Sequence, residues 1–168
     1  MPEVRLERAL RVPADPTAAA LGEVLKAIAE QQGPWRGFAL HVGLGDLRMP
    51  DVGYVAIPIH LTTEKASDEK LAFDITFSSA NLAAAFPGFK GRTGVVEGAI
   101  GECTLYLRGT YELPMQFFGK LLDSALLPRV ADRSLQNFIE EIGVACEARV
   151  NQREADFARY RFYSRSFR

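Results

Sequence analysis

The sequence offers little for metal or thiol chemistry. Its 168 residues include two histidines and two cysteines. Cys103 and Cys146 do not form a CxxC pair, and no HxH, HExxH or Cys/His cluster gives metal-ligand spacing, so no metal centre is expected. Isolated cysteines of this kind read as small buried hydrophobes in a reducing cytosol. Charge of one sign is also missing: the formal net charge is -1, which provides no global field to draw in nucleic acid or an anionic membrane. No apolar run approaches the ~20 residues that span a bilayer, so stable membrane insertion is not expected. The first residues, Met1-Pro2-Glu3-Val4-Arg5-Leu6-Glu7-Arg8, are charged from the start and contain no secretory h-region, which points to the cytoplasm. Nucleotide motifs are absent: Gly43-Leu44-Gly45-Asp46 is too short and leads into no helix, and Gly91-Arg92-Thr93-Gly94 fails in the same way. No serine sits in a GxSxG elbow. The sequence implies no cofactor.

What remains is ordinary in composition and well patterned. Hydrophobic residues make up 48% and charged residues 24% of the chain, as in a typical globular domain. A domain of this length buries roughly 70% of the surface its unfolded chain exposes. Between Cys103 and Leu113 the pattern alternates: Cys103, Leu105, Leu107, Tyr111 and Leu113 share one face, and Thr104, Arg108, Thr110 and Glu112 share the other. Period two marks a strand with one covered face. From Leu135 the period changes, with Leu135, Phe138, Ile139, Ile142, Ala145, Cys146 and Arg149 three and four apart. That spacing predicts an amphipathic helix to about Val150, roughly 24 Å long.

Further elements follow from the same two periods. Val4, Leu6, Arg8, Leu10 and Val12 alternate as a first strand. Asp15 and Pro16 read as the N-cap and first position of a helix carrying Leu21, Val24, Leu25 and Ile28, with Gly33 as its C-terminal cap. Strands are expected at Phe38–Leu44, Tyr54–Thr63, Leu71–Phe77 and Thr93–Ile100, the second with Pro58 at an edge or a bulge. Between Ser78 and Arg92, residues 81–86 suggest a short helix and Pro87-Gly88-Phe89-Lys90-Gly91 a loop, an apolar connection of the kind that forms a mouth. Phe117 to Val130 reads as a separate helical stretch that Pro128 kinks or ends. The fold class is α+β: a curved antiparallel sheet of about six to seven strands wrapped around a long C-terminal helix. Residues 1–150 form one domain and residues 151–168 an Arg/aromatic extension.

The order of elements resembles the START-like helix-grip superfamily, which includes polyketide cyclases and lipid-transfer domains. The resemblance is closest from Gly101 to Arg149, where Gly109-Thr110-Tyr111-Glu112-Leu113-Pro114 closes the last strand, Gly119-Lys120-Leu121-Leu122-Asp123 follows, and Arg129-Val130-Ala131 leads into the final helix. It is similar there to uncharacterised bacterial members. The resemblance implies an internal cavity for a hydrophobic small molecule such as a lipid or polyketide-like compound, or a cyclase/aromatase-type reaction in the same cavity.

The alternating strands and the helix provide the expected lining: Phe73, Ile75, Phe77, Phe86, Phe89, Leu105, Leu107, Tyr111, Phe138 and Ile142. A pocket of at least ~300 Å³ should open near residues 80–90, gated by Phe86 and Phe89. A reaction would require polar groups inside, and the candidates are His41, His60, Asp74 and Arg108. No residue is assigned a catalytic role, since a lone strand histidine or an unpaired carboxylate makes no acid–base pair, and the apolar stripe favours Arg108 on the solvent side. In the extension, Arg153, Arg159, Arg161, Arg165 and Arg168 alternate with Phe157, Tyr160, Phe162, Tyr163 and Phe167. Five cations against Glu154 and Asp156 are a weak basis for nucleic-acid binding, whereas aromatics along one helical face suit contact with a second copy of the chain.

Overall fold

The structure, a computed structural model, describes residues 3–35, 39–43, 54–79, 88–112 and 126–165. β1 (Glu3–Leu10) leads into α1 (Ala14–Ala29) and a short 3-10 turn at Gly33–Trp35. Five strands follow: β2 (Ala39–Gly43), β3 (Tyr54–Lys65), β4 (Ala72–Ser79), β5 (Gly88–Glu97) and β6 (Cys103–Glu112). The chain then runs through α2 (Leu126–Arg165). The strands make one antiparallel sheet in the order β1-β6-β5-β4-β3-β2, at the lower end of the six to seven expected.

β1 pairs with β6 because α1 returns the chain across the sheet, so the first and last strands meet while β2 to β6 pair in sequence. α1 buries Ala14, Thr17, Ala18, Leu21, Val24, Leu25 and Ile28 at three- and four-residue intervals and packs on β3 and β5. α2 packs against β1, β6 and β2, and against α1. Sheet and helices close on one core containing Leu10, Leu21, Ile75, Phe77, Phe89, Leu105, Leu107, Phe138 and Ile142.

Several element ends differ from expectation for identifiable reasons. Asp15 is not the N-cap: Pro13 holds that place, and the Thr17 hydroxyl donates to the Pro13 carbonyl at 2.6 Å. Asp15 instead lies in the first turn, where a negative charge complements the helix dipole. The helix stops three residues before Gly33, with Glu30 as C-cap and Gln31 taking the left-handed φ of 52°. Pro128 does not end a helix. It is the third residue of α2, in a first turn whose N–H groups have no intrahelical partner. α2 therefore starts before Leu135 and continues past Val150 without a break, a 40-residue rod about 60 Å long.

β5 starts at Gly88 rather than at Thr93, so Phe89 belongs to a strand and not to a connecting loop. Two glycines permit this. Gly91 and Gly109 face each other in the β5–β6 register, and a Cβ on Gly109 would stand 2.6 Å from the Gly91 Cα and 2.7 Å from the Phe89 ring. Glycine there lets the Phe89 ring lie across both strands. The expected helix at 81–86, the loop at Pro87, and most of the helical stretch from Phe117 fall outside the described residues.

Candidate functional site

Strand pairing assigns the two faces of the sheet. One cross-strand row joins Leu6, Leu107 and Thr93, and another joins Tyr111, Phe89, Phe77 and Leu61. These rows face the helices. On this concave side Phe73, Ile75, Phe77, Phe89, Leu105, Leu107 and Tyr111 meet Phe138 and Ile142 of α2, all buried except the partly buried Phe73. The lining expected from the sequence is thus brought together on one surface, apart from Phe86, which lies outside the described residues. Phe77 stacks on Phe89 at a centroid distance of 5.0 Å and meets Phe138 at 5.5 Å. Phe89 is a core residue fixed in a strand, so it cannot act as a gate. The connections β2–β3, β4–β5 and β6–α2 all leave from the sheet end where Phe77, Phe89 and Tyr111 lie.

Three hydroxyls among these residues interrupt the apolar wall, and that of Thr93 donates to the Tyr106 backbone carbonyl at 2.7 Å. The Tyr111 phenol is pushed above its ordinary range, first by burial and then by the nearby Asp132 charge, so it remains a neutral hydroxyl at physiological pH. Thr63 lies opposite Ile75 on the same face, and its buried Oγ1 has no hydrogen-bond partner among the described residues. Buried hydroxyls are normally paired. Sequence reasoning missed Thr63 because a threonine in a strand carries no signal of its own; only its neighbours reveal that it is unpaired.

The polar candidates are on the opposite side. Asp74 pairs across the sheet with Arg92, and Arg92 with Arg108, one strand position out of phase with the concave rows. Period two sends all three outward. Asp74 is exposed and accepts from Arg92 at 2.8 Å. Arg108 is exposed and lies 4.1 Å above the Tyr106 ring. His60 is also exposed. His41 belongs to β2, and its side chain lies outside the described residues. His60, Asp74 and Arg108, expected as polar groups of the cavity, therefore neither converge nor reach the concave face. Among the described residues no group of three histidine, cysteine or acidic side chains could hold a metal ion, and no helix is long and apolar enough to cross a membrane.

Both cysteines are free and buried where β6 meets the helices. Cys103 donates to the Thr17 hydroxyl at 3.6 Å. Burial pushes the Cys146 thiol up to about 12 and raises that of Cys103, so neither is a ready nucleophile.

A six-stranded antiparallel sheet curved around a long C-terminal helix is the helix-grip fold. Solved structures match it at the level of fold. One is the di-domain ARO/CYC BexL from the BE-7585A biosynthetic pathway, with a TM-score of 0.51 and 13% identity over 90% of this chain. The chain spans about half of that protein, 47% of its length. Another is a conserved protein from Geobacillus kaustophilus, with a TM-score of 0.51 and 10% identity, covering 86% of this chain and 95% of that one. No family model and no curated protein matches the sequence.

Proposed function

We propose that the protein binds a hydrophobic small molecule, lipid or polyketide-like, between the concave face of the sheet and α2, in the cytoplasm and without a cofactor. The observation that carries this reading is the division of the sheet. The described concave side chains named above are apolar apart from three hydroxyls, those of Thr63, Thr93 and Tyr111; Arg8 on the same face of β1 is paired with Glu140 and Glu147 of α2, and Asp74 and Arg108 lie on the outer face. Such a surface binds by area, about 25 cal/mol for each Å² of apolar surface removed from water. Thr63 offers one hydrogen bond to orient the ligand.

The alternative, a cyclase or aromatase acting in the same cavity, needs groups that move protons beside the ligand. His60, Asp74 and Arg108 do not supply them, and the Tyr111 phenol holds its proton firmly. BexL is named as an ARO/CYC, but a likeness at that identity carries the fold and not the reaction. Residues 1–150 are proposed as the binding body, and residues 151–168 as a contact to a second copy rather than to nucleic acid.

Native mass spectrometry of the purified protein, together with titration of an anionic naphthalene dye displaced by a fatty acid or a polycyclic phenol, tests the reading. The expected result is saturable 1:1 binding, weakened by Thr63→Val in a protein that remains folded. A bare chain mass with no saturable dye binding would overturn it.

A further inference from the structure

The outer face of the sheet holds a hollow. It encloses about 380 Å³ over β1, β6 and β5 and is lined by Arg5, Glu7, Thr104, Tyr106, Arg108 and Val96, with Leu6 below. Two features distinguish it from an ordinary solvated sheet face. First, Arg5 and Arg108 are direct partners in the β1–β6 register, which places their Cβ atoms about 4.5–5.5 Å apart. Like charges placed this way oppose each other. Second, the arginines of this row differ in how they are neutralised. Arg92 is held by Asp74 at 2.8 Å, Asp68 at 2.9 Å and Glu69 at 3.5 Å. Among the described residues the one carboxylate near Arg108 is Glu69, at 3.9 Å, and Glu69 also accepts the Tyr106 hydroxyl and faces Arg92.

Arg108 is nonetheless ordered. Its guanidinium lies on the Tyr106 ring. That ring is itself buried, and Gly94 leaves room for it: a Cβ there would stand 2.8 Å from the Tyr106 Cζ. Stacking fixes the plane of the guanidinium, and the side chain remains 52% exposed. Arg5 uses its Nε and Nη2 on Glu3, and among the described residues its Nη1 is not engaged. Beside this pair Val96 is 52% exposed, an apolar floor next to the Thr104 hydroxyl.

We propose that this hollow is a binding site for a small molecule carrying an oxyanion, a phosphate monoester or a carboxylate, on a flat or apolar body. The oxyanion bridges Arg5 and Arg108, and the body lies over Val96. A planar fork of donors matches both oxyanions. Glu7 limits the net charge of the lining to one positive unit, so selectivity comes from geometry and binding weakens with salt. The site lies on the opposite side of the sheet from the proposed hydrophobic cavity and does not depend on it.

Titrations of the full chain with phenyl phosphate, benzoate and inorganic phosphate, followed by amide chemical shifts, test the site. The expected result is saturable movement of the Thr104, Tyr106 and Arg108 amides. The dissociation constant should rise at least tenfold in Arg108→Gln and in Val96→Glu, which places a carboxylate in the hollow while leaving both arginines intact. The remote Lys26→Gln should bind as the parent does. A response to phenyl phosphate alone assigns a phosphate ligand, to benzoate alone a carboxylate, and to both either oxyanion. No saturable shift with any probe, or shifts that persist in both hollow variants, overturns the proposal. Binding of the naphthalene dye by these variants reports the concave face separately.

Discussion

Gly143 and Arg8 are predicted to be coupled strongly enough to reverse the sign of a helix substitution. Arg8 lies on the concave face of β1, where its side chain is 17% exposed. It donates to the Glu140 backbone carbonyl, and its Nε and Nη2 lie 3.3 and 3.4 Å from the Glu140 and Glu147 carboxylates. Its stem crosses α2 at Gly143, where a Cβ would stand 2.7 Å from the Arg8 Cδ and 2.8 Å from its Cζ. Replacing glycine by alanine inside a helix normally stabilises by about 1 kcal/mol. In this protein the added methyl displaces the guanidinium from both carboxylates and from the carbonyl. These are partly solvated contacts, so their joint loss costs about 2 kcal/mol rather than the full charge-assisted value of each. Gly143→Ala should therefore destabilise the parent by about 1 kcal/mol, a fall of about 2–4 °C in Tm. In an Arg8→Ala background the clash is gone, and the same substitution should stabilise by about 1 kcal/mol. Urea melts of the four proteins, followed by circular dichroism, give a coupling of about 2 kcal/mol. Equal effects of Gly143→Ala in both backgrounds would falsify the clamp.

Other outcomes follow from the same geometry. Gly109→Ala pushes a methyl into the Gly91 backbone and the Phe89 ring and should cost about 1–3 kcal/mol, seen as a lower urea midpoint; an unchanged midpoint would mean that the strands separate freely there. The Cys146 thiol is protonated in the native state up to about 12, against an ordinary 9.0 in the unfolded chain. Its contribution to stability is therefore complete below about 9 and is lost as the pH rises toward 12. Urea midpoints should fall across that window and fall less in Cys146→Ala. Truncation after Val150 should lower the mass seen by light scattering, since Asn151 to Asp156 are exposed and leave the end of α2 available to a second copy; an unchanged mass would exclude self-association through the extension.

Much of this architecture was legible because burial imposes a period. Cys103, Leu105, Leu107 and Tyr111 alternate in the sequence and face the helices in the structure. Leu135, Phe138, Ile139, Ile142 and Cys146 repeat at helical spacing and are all buried. Even Arg8 stood in the apolar stripe of its strand. What the pattern lacked was a reason for a cation there, and that reason is a glycine 135 positions away on α2. Tyr106, which the two faces read from the sequence left unassigned, departs from the period in the opposite direction. Its parity places it outside, yet it is buried because Arg108 covers it and Gly94 makes room below. Long-range pairs of this sort are set by register, and a single strand carries no record of its partner. The helix ends were misjudged where a residue type has two uses: proline breaks a helix interior but is tolerated in its first turn.

The two halves of β3 have different neighbours. Tyr54 to Pro58 pair with β2, and Ile59 to Lys65 pair with β4, so Pro58 lacks its N–H where the strand has a partner on one side only. The sheet therefore consists of a five-stranded ladder with a short two-stranded flap, joined to the ladder through β3 and resting on α2. Detaching β2 breaks no hydrogen bond of the β3–β4 ladder, so the flap is expected to open as a separate unit at a lower free energy than the body. Amide exchange should show this as two classes within one strand, with the amides of residues 54–57 exchanging through local opening and those of Leu61 and Thr63 only through global unfolding.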